Sequence, residues 1–171
     1  MLASGVLAFA GVLYIGLSWA QAAPQASAIS TTGPIEIRQS HEGAAIFSAE
    51  GIVPGWSADG EVSITNSGGT AGQFKLELGH LGEKSGPPGA RLSSGLQLVV
   101  TEIDGGRETT VYSGRLSDLG VRDLSVLEPG EKHSYHLTMS FPDRGEHGAD
   151  NALQGGRVEA GLLWTAVAVP E

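Results

Sequence analysis

Residues 96–103, LQLVVTEI, form the most strand-like run in this chain, and they stop at Asp104-Gly105-Gly106 before ETTVYSG takes up an extended pattern again. Asp-Gly tolerates the positive φ of a tight chain reversal, so the two runs are constrained to pair as a β-hairpin. The same punctuation recurs along the rest of the sequence. Val62-Ser63-Ile64-Thr65 alternates and ends at Asn66-Ser67-Gly68-Gly69, and Phe74, Leu76 and Leu78 alternate with Lys75 and Glu77. A two-residue period sends neighbouring side chains to opposite faces, which is the signature of a strand with one face buried.

Further strands are expected around Ile35 and Ile37, over residues 44–49, over 133–141, where Tyr135, Leu137, Met139 and Phe141 share a face, and over 158–169, where Leu162, Trp164, Ala166 and Ala168 do. Residues 82–90, GEKSGPPGA, read as a loop, and 114–124 as a short helix or an irregular crossover. Ile52-Val53-Pro54-Gly55 and Leu127-Glu128-Pro129-Gly130 echo each other: Pro presets φ at the first corner of a turn and Gly accepts positive φ at the second. The sum is about seven or eight strands with almost no helix, an all-β, jelly-roll-like antiparallel β-sandwich. Its expected core is Phe74, Leu76, Leu98, Val100, Tyr135, Leu137, Leu162 and Trp164.

A chain of 171 residues accommodates one domain with a real core. Cysteine is absent, which excludes disulfides, thiolate metal sites and a cysteine nucleophile. Nineteen acidic residues against 10 basic give a net charge of −9, and an acidic surface of this kind repels nucleic acid and anionic membranes. No charged residue precedes Glu36. Residues 2–19, LASGVLAFAGVLYIGLSW, are apolar and give way to the small-x-small sites Ala20-Gln21-Ala22 and Ala26-Ser27-Ala28. This is the pattern of a signal peptide, cut after Ala22 or Ala28, although it lacks the usual upstream positive charge; a retained anchor is the alternative.

Motifs that would carry chemistry are weak. Gly55-Trp56-Ser57-Ala58-Asp59 approaches a Gly-x-Ser-x-Gly elbow, but Asp59 replaces the second glycine and a strand pattern follows where a helix should. The five histidines contain no His-Glu-x-x-His, and His133 and His136, three apart on a strand, point to opposite faces. Residues 142–151, PDRGEHGADN, gather Asp143, Glu146, Asp150 and Asn151, oxygen donors suited to calcium, without the spacing of an EF-hand loop. The pairs Glu102 with Asp104 and Asp118 with Asp123 sit beside turns and read as surface charge. No catalytic, cofactor-binding or metal-ligating residue is assigned from spacing.

Two blocks together resemble the TasA/camelysin family of secreted bacterial proteins. The first, residues 52–78, is similar to its Leu/Ile-x-Pro-Gly turn, alternating strand, Asn-x-Gly turn and Leu-bearing strand. The second, DNALQGGRVEAGLLWTAVA at 150–168, resembles its Asn-x-x-Gln-Gly followed by a long strand ending near Trp and Ala. The resemblance implies an exported jelly roll that polymerises into extracellular fibres of a biofilm matrix or spore surface, the mature N-terminal segment of one subunit being donated to the sheet of the next. Adding a strand to an open edge satisfies backbone groups while alternate side chains fill pockets. The available segment is 29–39, with Ile35 and Ile37 as assembly contacts and Pro34 limiting pairing on one side. A disordered leader is the other reading of that segment.

The expected organisation is therefore a signal peptide at 1–28, a leader and candidate donor strand at 29–43, and a β-sandwich at 44–171. The expected function is that of a secreted structural protein at the cell exterior, associating with copies of itself, without cofactor or catalysis, without nucleic acid, and meeting the membrane only through its signal segment. Camelysin members are also described as metallo-endopeptidases, the rival function, for which this sequence offers no residues to carry over. A monomeric surface adhesion or ligand-binding sandwich is the third.

Overall fold

The structure, a computed structural model, describes residues 13–16, 37–39, 47–48, 52–84, 91–145, 153 and 157–169. Its strands are β1 (Leu13–Gly16), β2 (Ile37–Gln39), β3 (Phe47–Ser48), β4 (Ser57–Asn66), β5 (Gly72–Lys84), β6 (Gln97–Asp104), β7 (Arg107–Arg115), β8 (Arg122–Leu127), β9 (Lys132–Ser140) and β10 (Arg157–Ala168). They form two five-stranded sheets, one in the order β3-β1-β10-β5-β8 and the other β2-β4-β9-β6-β7. All pairings are antiparallel except that of β1 with β3. Helix among the described residues amounts to one turn, Leu92–Gly95, a 3-10 turn, Leu116–Asp118, and Leu153, also 3-10. The fold class is all-β, as the alternation requires.

The two sheets enclose one apolar cluster. Val62 and Ile64 of β4, Phe74 and Leu76 of β5, Leu98 and Val100 of β6, Leu137 and Met139 of β9, and Leu162 and Trp164 of β10 all bury their side chains in it. Tyr135 joins them, so all eight residues expected in the core are there. Each such side chain removed from water stabilises the fold by about 1.5–3 kcal/mol. The longest ladder, β5 with β10, runs from Lys84 opposite Arg157 to Gly72 opposite Ala168 and carries a bulge between Gly161 and Leu162. The register there steps from His80 to Leu78. The unpaired residue is Gly79, where a Cβ would approach that of Leu163 to 3.1 Å.

The two Pro-Gly turns close as their sequence predicts. Trp56 N–H donates to Val53 O at 3.0 Å and Glu131 N–H to Glu128 O at 3.0 Å, with Gly55 at φ +89° and Gly130 at φ +82°. Each turn also docks on the far end of the neighbouring strand. Gly55 N–H donates to Phe141 O at 2.7 Å beyond the end of β9, and Gly130 N–H donates to Asn66 O at 2.7 Å at the end of β4. The start of each strand in the β4–β9 pair is thus sewn to the finish of the other.

Asn66 ties this corner together. It is fully buried, its Nδ2 donates to Thr70 O and Leu127 O at 2.9 Å each, and its Oδ1 accepts from Gly68 N–H at 3.0 Å. The last of these is the local Asx turn that Asn-Ser-Gly favours.

Several local expectations change. Residues 114–124 do hold a short helix, the 3-10 turn Leu116–Asp118, and cross between the sheets, but strands take both ends of the segment: β7 runs to Arg115 and β8 begins at Arg122 in the opposite sheet. β8 carries no two-residue period: its buried residues, Leu124 and Leu127, are three apart, and its register with β5 shifts between Gln73 and Lys75. Gly82, Glu83 and Lys84 belong to β5 and not to a loop. Ser57 opens a ten-residue strand, so it occupies no strand-to-helix elbow, and Trp56 packs against the core. No helix among the described residues is long and apolar enough to cross a membrane.

Candidate functional site

Two features stand apart from ordinary packing: a polar cluster set into one end of the core, and a sheet margin lined by N-terminal strands.

The cluster begins with strand parity. Leu98, Val100 and Glu102 of β6 all face inward, and so do His133, Tyr135, Leu137 and Met139 of β9. The register places Glu102 directly opposite Tyr135. Glu102 is therefore no surface charge, contrary to the reading from its turn-side position, but a carboxylate only 6% exposed. Its Oε1 accepts from Tyr135 Oη–H at 2.8 Å and pairs with His133 Nδ1 at 3.0 Å, while Oε2 accepts from Ser125 Oγ–H of β8 at 2.8 Å. Burial raises the affinity of this carboxyl for a proton, but the bonds from His133, Ser125 and Tyr135 outweigh it and hold the group below its usual range.

An ionised carboxylate only accepts hydrogen bonds, so His133 must carry its proton on Nδ1. Its other nitrogen, Nε2, lies 3.3 Å from Glu131 Oε1 and 3.5 Å from Asp104 Oδ1. Burial disfavours charge on the ring, yet Glu102 and Glu131 more than compensate and raise its proton affinity above the ordinary histidine value. Tyr135 is pushed far above its usual range by burial and by the Glu102 charge beside it.

The outer members come from two turns. Asp104 closes β6 at the hairpin, where Gly105 and Gly106 take φ of +54° and +90°. Glu131 follows the second Pro-Gly turn, and its Oε2 is held by Glu128 N–H at 2.7 Å, which leaves Oε1 facing His133. That backbone bond, more than the histidine, lowers the proton affinity of Glu131. The three candidate ligand atoms of Asp104, Glu131 and His133 lie within 4.8 Å of one another. His136 is on the outer face, with Nε2 3.6 Å from Asp59 Oδ1. It cannot share a ligand with His133, as strand parity required.

At the sheet margin, β1 pairs with β10 from Leu13 opposite Leu162 to Gly16 opposite Glu159. β2 pairs with β4 from Ile37 opposite Asn66 to Gln39 opposite Ile64. β1 lies outside β10 in its sheet, and β2 lies outside β4 in the other. Among the described residues, 163–168 of β10 and 57–63 of β4 have no paired strand on that side.

Of the expected assembly contacts, Ile37 opens β2, while Ile35 lies outside the described residues. So does most of 1–28; within it only β1 is described, and neither cleavage site is. In the acidic loop 142–151, Asp143 Oδ1 accepts from Gly145 N–H at 2.9 Å, and residues 146–151 lie outside the described residues.

No protein-family model matches this chain, and no curated protein matches it.

Proposed function

We propose that this protein is a secreted structural domain of jelly-roll type that assembles with copies of itself at the cell exterior by adding a strand to an open sheet margin. One observation carries the reading: among the described residues, the outer edges of β4 and β10 are paired over three or four residues, by strands from the N-terminal part of the chain. Exposed edges present unpaired backbone donors and acceptors and are templates for another strand.

The leader gives this margin a timing. β1 falls inside the segment expected to be removed after Ala22 or Ala28, so cleavage takes away the strand beside β10. The edge of β10 then stands open to residues 29–39 of a second copy, whose β2 leaves its own β4 to reach it, with Ile35 and Ile37 as the side chains that fill pockets from one face. The resemblance of the turn and strand order to the TasA/camelysin family supports the same mode of assembly.

Electron microscopy of the mature chain, compared with a form lacking residues before His41, tests the reading. Filaments from the first and none from the second are expected. Monomers from both would replace it with a surface adhesion domain, and chelator-sensitive cleavage of casein by the purified protein would replace it with a peptidase.

A further inference from the structure

We propose that Asp104 Oδ1, Glu131 Oε1 and His133 Nε2 form a binding site for one divalent transition-metal ion, with zinc the best fit, at the hairpin end of the β6–β9 sheet. The site is independent of strand exchange, and spacing along the chain did not reveal it because its ligands come from two turns brought together by the fold.

The histidine is the independent mark of a ligand. Its side chain is 4% exposed, and Glu102 fixes the Nδ1–H tautomer from behind. Nε2 faces the oxygens of Glu131 at 3.3 Å, its hydrogen-bond partner when the ring is protonated, and of Asp104 at 3.5 Å. In the neutral ring, a lone pair facing two carboxylates is repulsive until a proton or a metal ion sits between them. A carboxylate bonded to the far nitrogen is the common outer support of metal-bound histidine, orienting the ring and raising its basicity.

The two separations from Nε2 agree with a metal polyhedron, and the three ligand atoms lie within 4.8 Å of one another. Bonds of about 2.0–2.2 Å in a tetrahedron place neighbouring ligand atoms about 3.3–3.6 Å apart. The two measured separations from Nε2 fall in that range. Glu131 is already oriented, because Glu128 N–H holds its other oxygen. The Asp104 side chain is 61% exposed, which gives an ion a path in and leaves a fourth position for water. One imidazole with two carboxylates suits zinc over calcium or magnesium, which prefer all-oxygen shells with more ligands. The ion would clamp the β6–β7 hairpin to the turn before β9, itself docked on Asn66 at the end of β4.

The test is calorimetric titration of the chelator-stripped full chain with zinc chloride, alongside thermal melts and cobalt(II) absorption spectra. One zinc per chain is expected, with a raised melting temperature and a cobalt spectrum showing low-symmetry nitrogen and oxygen ligation. D104N and E131Q, both at solvent-accessible positions, should each weaken zinc by about tenfold or more, and D123N should not. E102Q, in folded protein, should weaken it by about 10–100-fold through the ring it supports. Binding weaker than about 1 mM in folded wild-type protein, in line with the carboxylates holding only a protonated ring, would overturn the proposal. So would an affinity unchanged in both D104N and E131Q.

Discussion

Oε1 of Glu102 lies 3.0 Å from Nδ1 of His133, and both side chains are buried between two sheets in a protein whose other inward positions are almost all apolar. A carboxylate in that position is tolerated because Tyr135 and Ser125 complete its hydrogen bonding.

Removing its charge should be costly. Glu102→Gln keeps the shape but turns an NH2 group toward groups that donate, leaving buried partners unsatisfied. We expect a loss of about 3 kcal/mol in urea unfolding. Glu108→Gln, at an exposed position on β7, should change stability by less than about 0.5 kcal/mol.

The same pair sets a pH window for chelator-treated protein. Glu102 is held below its ordinary value, so its contribution is present above that value and is lost as pH falls through the lowered one. His133 is held above its ordinary value, so its contribution is complete below pH 6.5 and is lost as pH rises through the raised one. Thermal melts should therefore show the cluster's stabilisation greatest in mildly acidic buffer and falling on both sides. A flat difference between wild type and Glu102→Gln from pH 4 to 9 would contradict this.

Asn66→Ala removes two donated bonds and one accepted bond from a fully buried position and leaves Thr70 O, Leu127 O and Gly68 N–H without them. A loss of about 2–4 kcal/mol is expected in equilibrium unfolding. Asn66→Asp should not rescue it, because a carboxylate cannot donate to Thr70 O or Leu127 O.

Gly55 and Gly130 isolate a backbone effect. A Cβ at either would meet nothing within 4 Å, so replacement by alanine costs only the strain of φ near +89° and +82°. Each should lower stability by about 1–2 kcal/mol, and asparagine should cost less than alanine at the same position. Equal costs for the two replacements would point to a lost contact instead.

Much of the frame was legible in short windows. Alternation at 74–78 and 133–141 identified the inward residues, and the Pro-Gly and Asp-Gly pairs marked reversals whose glycines do take positive φ. β8 was not legible, because its buried leucines repeat every three residues along a strand whose pairing is irregular. For Glu102 the sign is present in the sequence: it continues the inward parity of Leu98 and Val100, just as His133 continues that of Tyr135 and Leu137.

By itself, then, the order of residues determined where this chain extends, where it reverses and which side chains face inward, since each of these depends on steric preferences within a few neighbouring residues. Only the tertiary structure decided who faces whom. Glu102 and His133 are 31 positions apart, and their meeting follows from the register of β6 against β9, which is chosen by packing of the whole core. The convergence of Asp104 and Glu131 on the same imidazole follows from where two turns end in space, a relation that no local pattern encodes.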